Sequence, residues 1–383
     1  MSPTPDAYWL ALRRVRGVGP RTCRILLEKY RSPEVIFSLD ESEIAASGVS
    51  RRVASGIKEF RDFDALEKEL CELPRLGARL LKWTDEDYPP NLREIPDPPP
   101  YLFVRGTASL NQPGCLAIVG ARAASEAGLR MAQRLAMELA AKGFTVVSGL
   151  ARGVDGAAHQ GALDGGGKTI AVMGCGVDVI YPPEHRKLAD AIIEGGGAIV
   201  SELPIGSHPM AENFPTRNRI LSGLCLGVVI VEAAEKSGSL ITARMALEQN
   251  RQVFAVPGSP LTGKTRGSNR LLREGAKLVE CVEDVIEELA PQLGIAPKLA
   301  KSGAIGKASE TLEISARRAQ LTFDAASDED KLILKELKQG MKLHVDSLIE
   351  ASGLTTQAVL KLLLELELKG VVAQHPGKLF SLA

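Results

Sequence analysis

The chain has 383 residues, 45% of them apolar and 25% charged, long enough for two or three domains and too apolar for a wholly disordered or fibrous molecule. Its 47 basic and 47 acidic side chains cancel, which excludes a whole-molecule field and confines any polyanion site to a local patch. The start lacks a basic segment followed by an apolar stretch and no run reaches bilayer length, so a cytoplasmic protein without membrane contact is expected.

Residues 1–72 are predicted to be helical. "LRRVRGVGPRTCRILLEKY" carries apolar residues at helical spacing on both sides of a tight turn at Gly17–Pro20, and a weaker copy turns at Ser47–Ser50. Two such units resemble paired helix-hairpin-helix motifs of the SAM-like class, with Arg13, Arg14, Arg16, Arg21, Arg51 and Arg52 flanking the turns. Hairpin amides meeting a DNA phosphate, or a helical packing module with solvated arginines, both fit.

A proline-rich stretch, "DYPPNLREIPDPPPYLFVRG", predicts a wrapping segment that ends in a short edge strand over Tyr101–Val104. Within the domain predicted over 73–290, six nearly continuous apolar strands ("CLAIVG", "FTVVSG", "TIAVMG", "AIVSE", "GVVIVEA", "QVFAVPG") alternate with helices. That pattern predicts an α/β fold with a Rossmann-like, doubly wound, mostly parallel sheet and a ligand crevice at the carboxyl ends of its strands.

Several strand ends carry candidate binding residues. "SGLARGVDGAAHQGAL" places Ser148, Gly149 and Arg152 in a glycine-rich turn before a helix starting near Asp155. Asp155 and His159, four apart, would share a helix face; without a GxSxG elbow or a carboxylate cluster, a loop-orienting role is expected in preference to acid–base catalysis. Arg122 stands where a dinucleotide-binding turn would carry GxGxxG, which argues against a nicotinamide cofactor and for a backbone phosphate. "FPTRNR" puts Phe214 beside Arg217, Asn218 and Arg219, one ring for a base and two cations for phosphates, the combination single-stranded nucleic acid needs. Lys236, Ser237, Gly238 and Ser239 precede a further helix as an anion site, and Lys264 and Arg266 lie in a loop near the same rim.

Residues 291–326, rich in Ala, Gly, Ser and Lys, predict a flexible linker. From Ser327 to Ala383, three helices and a terminal hairpin around His375–Lys378 predict a winged helix. Its last helix carries Glu365 and Glu367 and few cations, so a protein contact is preferred over major-groove reading. Six scattered cysteines, with no CxxC pair or histidine at ligand spacing, predict reduced core thiols, no metal and no cofactor.

Taken in order, "IVGAR", "SGLARGVDGAAHQGAL", "IYPPEH", "SELPIG", "FPTRNRI", "EAAEKSGSLITA" and "VPG" resemble the DNA-processing protein A family (DprA, also called Smf). The resemblance implies a non-catalytic protein that binds and protects single-stranded DNA, helps load the RecA recombinase in natural transformation, and dimerises through the Rossmann-like domain. It places the DNA pocket on Arg122, the Ser148–Arg152 loop, Phe214, Arg217 and Arg219. The competing class is a nucleotide phosphoribohydrolase on the same fold, whose expected GGGxGT-type motif is absent here, with "KSGSLITA" in the comparable place.

Overall fold

The computed structural model describes residues 3–293, 337, 343–352, 354–368, 372–375 and 379–382. The chain falls into two compact units, Met1–Ile305 and Gly306–Ala383. The first opens with α1 (Pro5–Arg14), α2 (Pro20–Tyr30), α3 (Pro33–Ser38), α4 (Glu41–Ala45), α5 (Arg51–Glu59) and α6 (Phe63–Glu72). The first three helices each begin on proline, whose missing amide has no intrahelical partner to lose at that position. The α1–α2 turn requires Gly17 at φ +87°, and Arg13 closes it by donating to the Val18 carbonyl at 2.7 Å. The second turn closes on the Ser50 hydroxyl, which accepts from the Val53 amide and caps α5.

The α/β part continues with β1 (Ala78–Lys82), α7 (Pro90–Glu94), β2 (Tyr101–Gly106), β3 (Cys115–Val119), α8 (Glu126–Ala141), β4 (Thr145–Ser148), α9 (Val154–Asp164) and β5 (Thr169–Val172). Then come α10 (Arg186–Glu194), β6 (Ala198–Ser201), α11 (Asn213–Gly223), β7 (Gly227–Ile230), α12 (Ser239–Glu248), β8 (Gln252–Ala255), α13 (Arg266–Arg273), β9 (Lys277–Leu278) and α14 (Val282–Leu289). One sheet runs in the order β1-β2-β6-β5-β4-β3-β7-β8-β9. From β6 to β9 every pairing is parallel; β1 and β2 add antiparallel strands at one side.

All six expected strands form. The expected edge strand at Tyr101 does not lie at an edge: β2 sits between β1 and β6, because its prolines precede it and leave its own amides free for two ladders. Its residues alternate between the sheet's faces. Tyr101 and Phe103 join Ala171 and Ile199 in a core shared with α1, α2, α5 and α10, while Leu102 and Val104 join Val172, Val200 and the inner sides of α11 and α12. Chain order reverses at β3, which has β4 on one side and β7 on the other, so a crevice opens at the carboxyl ends of β3 and β7.

In the second unit, α15 (Val345–Ser352) and α16 (Thr356–Leu368) accompany a three-stranded sheet in which β12 (Leu379–Leu382) pairs with both β10 (Leu343–His344) and β11 (Val372–His375). This is the winged-helix plan, with Leu348, Leu363, Val372 and Phe380 in its core. The first of the three helices expected after Ser327, over 328–339 ("DEDKLILKELKQ"), and the linker from residue 294 lie outside the described residues apart from Leu337.

Candidate nucleic-acid interface

The crevice has a volume of about 730 Å³. Four chain segments supply most of its lining, the turn after β3 (Gly120–Arg122), the start of α9, the first turns of α11 and the turn from β7 into α12, with Tyr181 and the loop residues Pro209 and Ala211 completing it. The β3 turn approaches α9 so closely that a Cβ on Gly120 would lie 2.7 Å from Val154 Cγ2. The loop leaving β4 is held in a narrow conformation: Leu150 has φ +55° with its side chain fully buried, and Gly153 has φ +75°.

Phe214 forms one wall. Its ring packs on Gly174, lies 5.7 Å from the Tyr181 ring, and has the Arg122 guanidinium 5.5 Å from its centroid. Arg122 is exposed, so a cation and a half-exposed aromatic face meet at the mouth, as a stacked base with its phosphate requires. Across the opening, α12 starts with no acidic residue in its first turn; the Ser237 and Ser239 hydroxyls lie 2.7 Å apart, and Lys236 is exposed beside them. Asn218 lines the space between these walls.

The floor holds two buried side chains of opposite charge, Asp155 and Arg217. Asp155 accepts from the amides of Gly149 at 3.1 Å and Ala151 at 3.4 Å, two hydrogen bonds to the β4–α9 loop. The Arg217 guanidinium stands beside it and donates to the Val172 carbonyl. A Cβ on Gly149 would lie 2.5 Å from both terminal guanidinium nitrogens and 2.7 Å from Asp155 Oδ2, so any side chain there would have to displace these charged ends. Burial pushes the Asp155 carboxyl above its ordinary range and pulls Arg217 below its own, each held toward the charged form by the other. Arg217 Nε is buried without a hydrogen-bond partner, leaving donor capacity at the base of the crevice.

Other expected residues are not brought to the crevice. Ser148 is fully buried and donates to the Ile118 carbonyl at 2.7 Å. Arg219 points away from Arg217 across the helix and is buried against Glu202 at 2.5 Å, with Asp97 at 3.4 Å. Both arginines of "FPTRNR", expected as accessible cations, are therefore buried, one under the crevice and one behind it. His159 does not touch the loop: its Nδ1 meets the Thr169 hydroxyl at 2.7 Å, tying α9 to β5, and burial, with His185 and Arg217 adding to it, drives its pKa down to about 3. Arg152 sits at a side opening in an ion pair with Glu184. Lys264 donates to the Ala123 carbonyl at 3.0 Å and lines a different cavity, and Arg266 is exposed, 3.9 Å from Glu235.

Sequence reasoning missed Tyr181 and the loop residues Pro209 and Ala211, which line the crevice. Tyr181 sits in "IYPPEH", where an aromatic before two prolines was the available signal. The described residues hold no cluster of three or more metal-ligating side chains, and none of their helices is long and apolar enough to cross a membrane.

Residues 79–290 match the family profile described as DNA recombination-mediator protein A, residues 317–378 the DprA winged helix domain, and residues 10–62 the SAM-like helix-hairpin-helix tandem. The chain is 35% identical to Protein Smf of Synechocystis over 98% of both chains, and 38% identical to Protein Smf of Escherichia coli over 88% of this chain and 86% of that one. DNA processing protein A of Streptococcus pneumoniae has a solved structure that superposes with a TM-score of 0.65 at 38% identity, covering 75% of this chain and 99% of that one. A Helicobacter pylori structure of the same name, described for its single-stranded DNA binding mode, has a TM-score of 0.51 at 32% identity and covers 57% of this chain and 97% of that one. With its sheet, its terminal modules and full-length relatives all in agreement, this chain belongs to the DNA-processing protein A (DprA/Smf) family of DNA recombination mediators.

Proposed function

We propose that this protein binds single-stranded DNA in the crevice between β3 and β7 and, in the cytoplasm and without catalysing a reaction, protects the strand and helps load the RecA recombinase during natural transformation. In this reading it acts as a homodimer paired through its Rossmann-like domain. The observation that carries the proposal is the Phe214 face capped by Arg122 at the mouth of a crevice whose opposite wall is the Lys236–Ser239 turn. The ring stacks a base, Arg122 and Lys236 take flanking phosphates, and the α12 start adds a favourable dipole. The H. pylori relative's described binding mode supports the same ligand.

A non-catalytic role is supported by how the candidate acid–base groups are used. Asp155 is buried and spent on two loop amides, and His159 is neutral and buried away from the crevice.

Anisotropy titrations with labelled oligo(dT) and duplex DNA test the proposal. Single strands are expected to bind more tightly, with affinity falling steeply with salt. Phe214→Ala should cost about 1–3 kcal/mol of stacking, and Arg122→Ala about tenfold in affinity. Equal binding of both DNA forms, or unchanged affinity in both variants, would overturn it.

A further inference from the structure

We propose that a cavity distinct from the crevice, at the carboxyl ends of β7, β8 and β9, is the binding site of a free basic amino acid with a guanidinium head, arginine in type. Its volume is about 510 Å³, within the range of small-molecule sites, and it shares no lining residue with the crevice. The start of α8 and the loop leading to α13 close its sides. The site stands whether or not the crevice holds DNA.

The observation that carries the proposal is Glu232. Its side chain lines the cavity although the residue is only 3% exposed, and among the described residues no Lys, Arg or His lies within ion-pair distance of it. Its polar contacts come from Ser125 alone, the amide at 3.1 Å from Oε1 and the hydroxyl at 2.5 Å from Oε2. Two carboxylate oxygens offer about four acceptor positions, so capacity is left over. Gly128, which also lines the cavity, leaves room beside it: a Cβ there would lie 2.6 Å from Oε2. A buried carboxylate without a cation is costly, and a ligand that brings the cation offsets that cost.

The other charged residues of the lining fix the rest of the ligand. Lys264 and Glu280 are both exposed, and neither is in an ion pair among the described residues. The Lys264 ammonium donates only to the Ala123 carbonyl at 3.0 Å. The nearby cations are engaged elsewhere: Arg134 donates to the Glu280 backbone carbonyl at 2.7 Å, and Arg130 pairs with Glu126 at 2.6 Å. Between the buried carboxylate and the exposed pair, Met131, Val231, Val256 and Val279 supply apolar wall. A zwitterion with a long basic side chain matches each part. Its guanidinium, a planar donor fork less strongly hydrated than an ammonium, meets Glu232, and its alkyl stem lies along the apolar wall. Its carboxylate meets Lys264 and its ammonium Glu280. A phosphate ligand would meet two carboxylates and one lysine, so charge disfavours a nucleotide here.

Calorimetric titration of the full-length protein with L-arginine, citrulline and agmatine tests the site. L-Arginine is expected to bind saturably. Citrulline, whose head carries no charge, should bind at least about tenfold more weakly, and agmatine, which lacks the carboxylate, about fivefold more weakly. Lys264→Ala should bring L-arginine down to the level of agmatine and leave agmatine unchanged. Glu280→Gln should weaken both about fivefold. Glu232→Gln is expected to abolish binding; should that variant fail to fold, citrulline removes the same charge pair from the ligand's side and decides. No saturable binding of L-arginine, equal binding of citrulline, or unchanged L-arginine affinity in Lys264→Ala or Glu280→Gln would overturn the proposal.

Discussion

Arg217 and Arg219 stand two positions apart on α11, about 200° around the helix, and that angle decides their work. Arg217 lies under the crevice with Asp155, whereas Arg219 is clamped by Glu202, whose side chain is itself only 8% exposed. Removing Arg219 leaves a carboxylate buried without its partner. Arg219→Ala is therefore expected to lower unfolding free energy by about 3–5 kcal/mol while the folded protein keeps its oligonucleotide affinity. Chemical denaturation and anisotropy on the same samples check this, and lost affinity at unchanged stability would return Arg219 to the DNA site. His159 makes a second residue-scale prediction. Its pKa of about 3 in the fold lies below its ordinary 6.5, so the unfolded chain binds the extra proton between those values. The stability it contributes is complete above about pH 6.5 and is lost as pH falls toward 3, at up to about 1.4 kcal/mol per pH unit. His159→Gln should flatten the acid limb of stability against pH; an unchanged limb would mean another group carries it. The types and spacing of these residues were legible in the sequence, but their burial was not. "FPTRNR" reads as an exposed basic cluster because nothing local announces Glu202 and Asp97, supplied from 17 and 122 positions upstream of Arg219 (219 − 202 and 219 − 97).

At the scale of elements, the strands legible in the sequence were those with apolar residues on both faces. A parallel strand covered on both sides has no polar alternation, so "CLAIVG" and "GVVIVEA" stand out from the helices beside them. In the nine-stranded sheet the strands that escaped are the two outermost, and in the second unit the two-residue β10 escaped as well. β1, "ARLLK", buries only Ala78 and Leu81 and carries charged Arg79 and Lys82, and β9 is two exposed residues, so neither leaves an apolar run. The crevice was legible for the same reason as the strands, since glycines and polar residues gather at their carboxyl ends. Gly149 is the clearest instance: it reads as a flexible turn residue, and its structural reason is the room that Arg217 and Asp155 take up. The wall from Pro209 to Ala211 was not legible because a loop's path over a sheet depends on packing partners far away in sequence.

For the molecule as a whole, the composition change near residue 72 suggests a helical domain followed by a separate one, yet one core crosses that point. Leu26, Leu27 and Ile57 of the helices share a cluster with Tyr101, Phe103, Ala171 and Ile199 of the sheet. Polar links reinforce it: Glu69 pairs with Arg14 at 2.6 Å and accepts from the Ile205 amide at 3.2 Å, Lys82 meets Asp6 at 3.0 Å, and Arg24 donates to the Ile95 carbonyl at 3.0 Å. Without the helices, the aromatic side of β2 would face water, at roughly 25 cal/mol for each Å² of apolar surface exposed. The helices and the adjoining sheet should therefore open together. In native-state hydrogen exchange, amides of α2 near Leu27 and of β3 near Ile118 are expected to have opening free energies within about 1 kcal/mol of each other. If α2 exchanged through an opening several kcal/mol cheaper while β3 stayed protected, the helices would be an independent domain resting on the sheet. Their shared core would then be too weak to couple them.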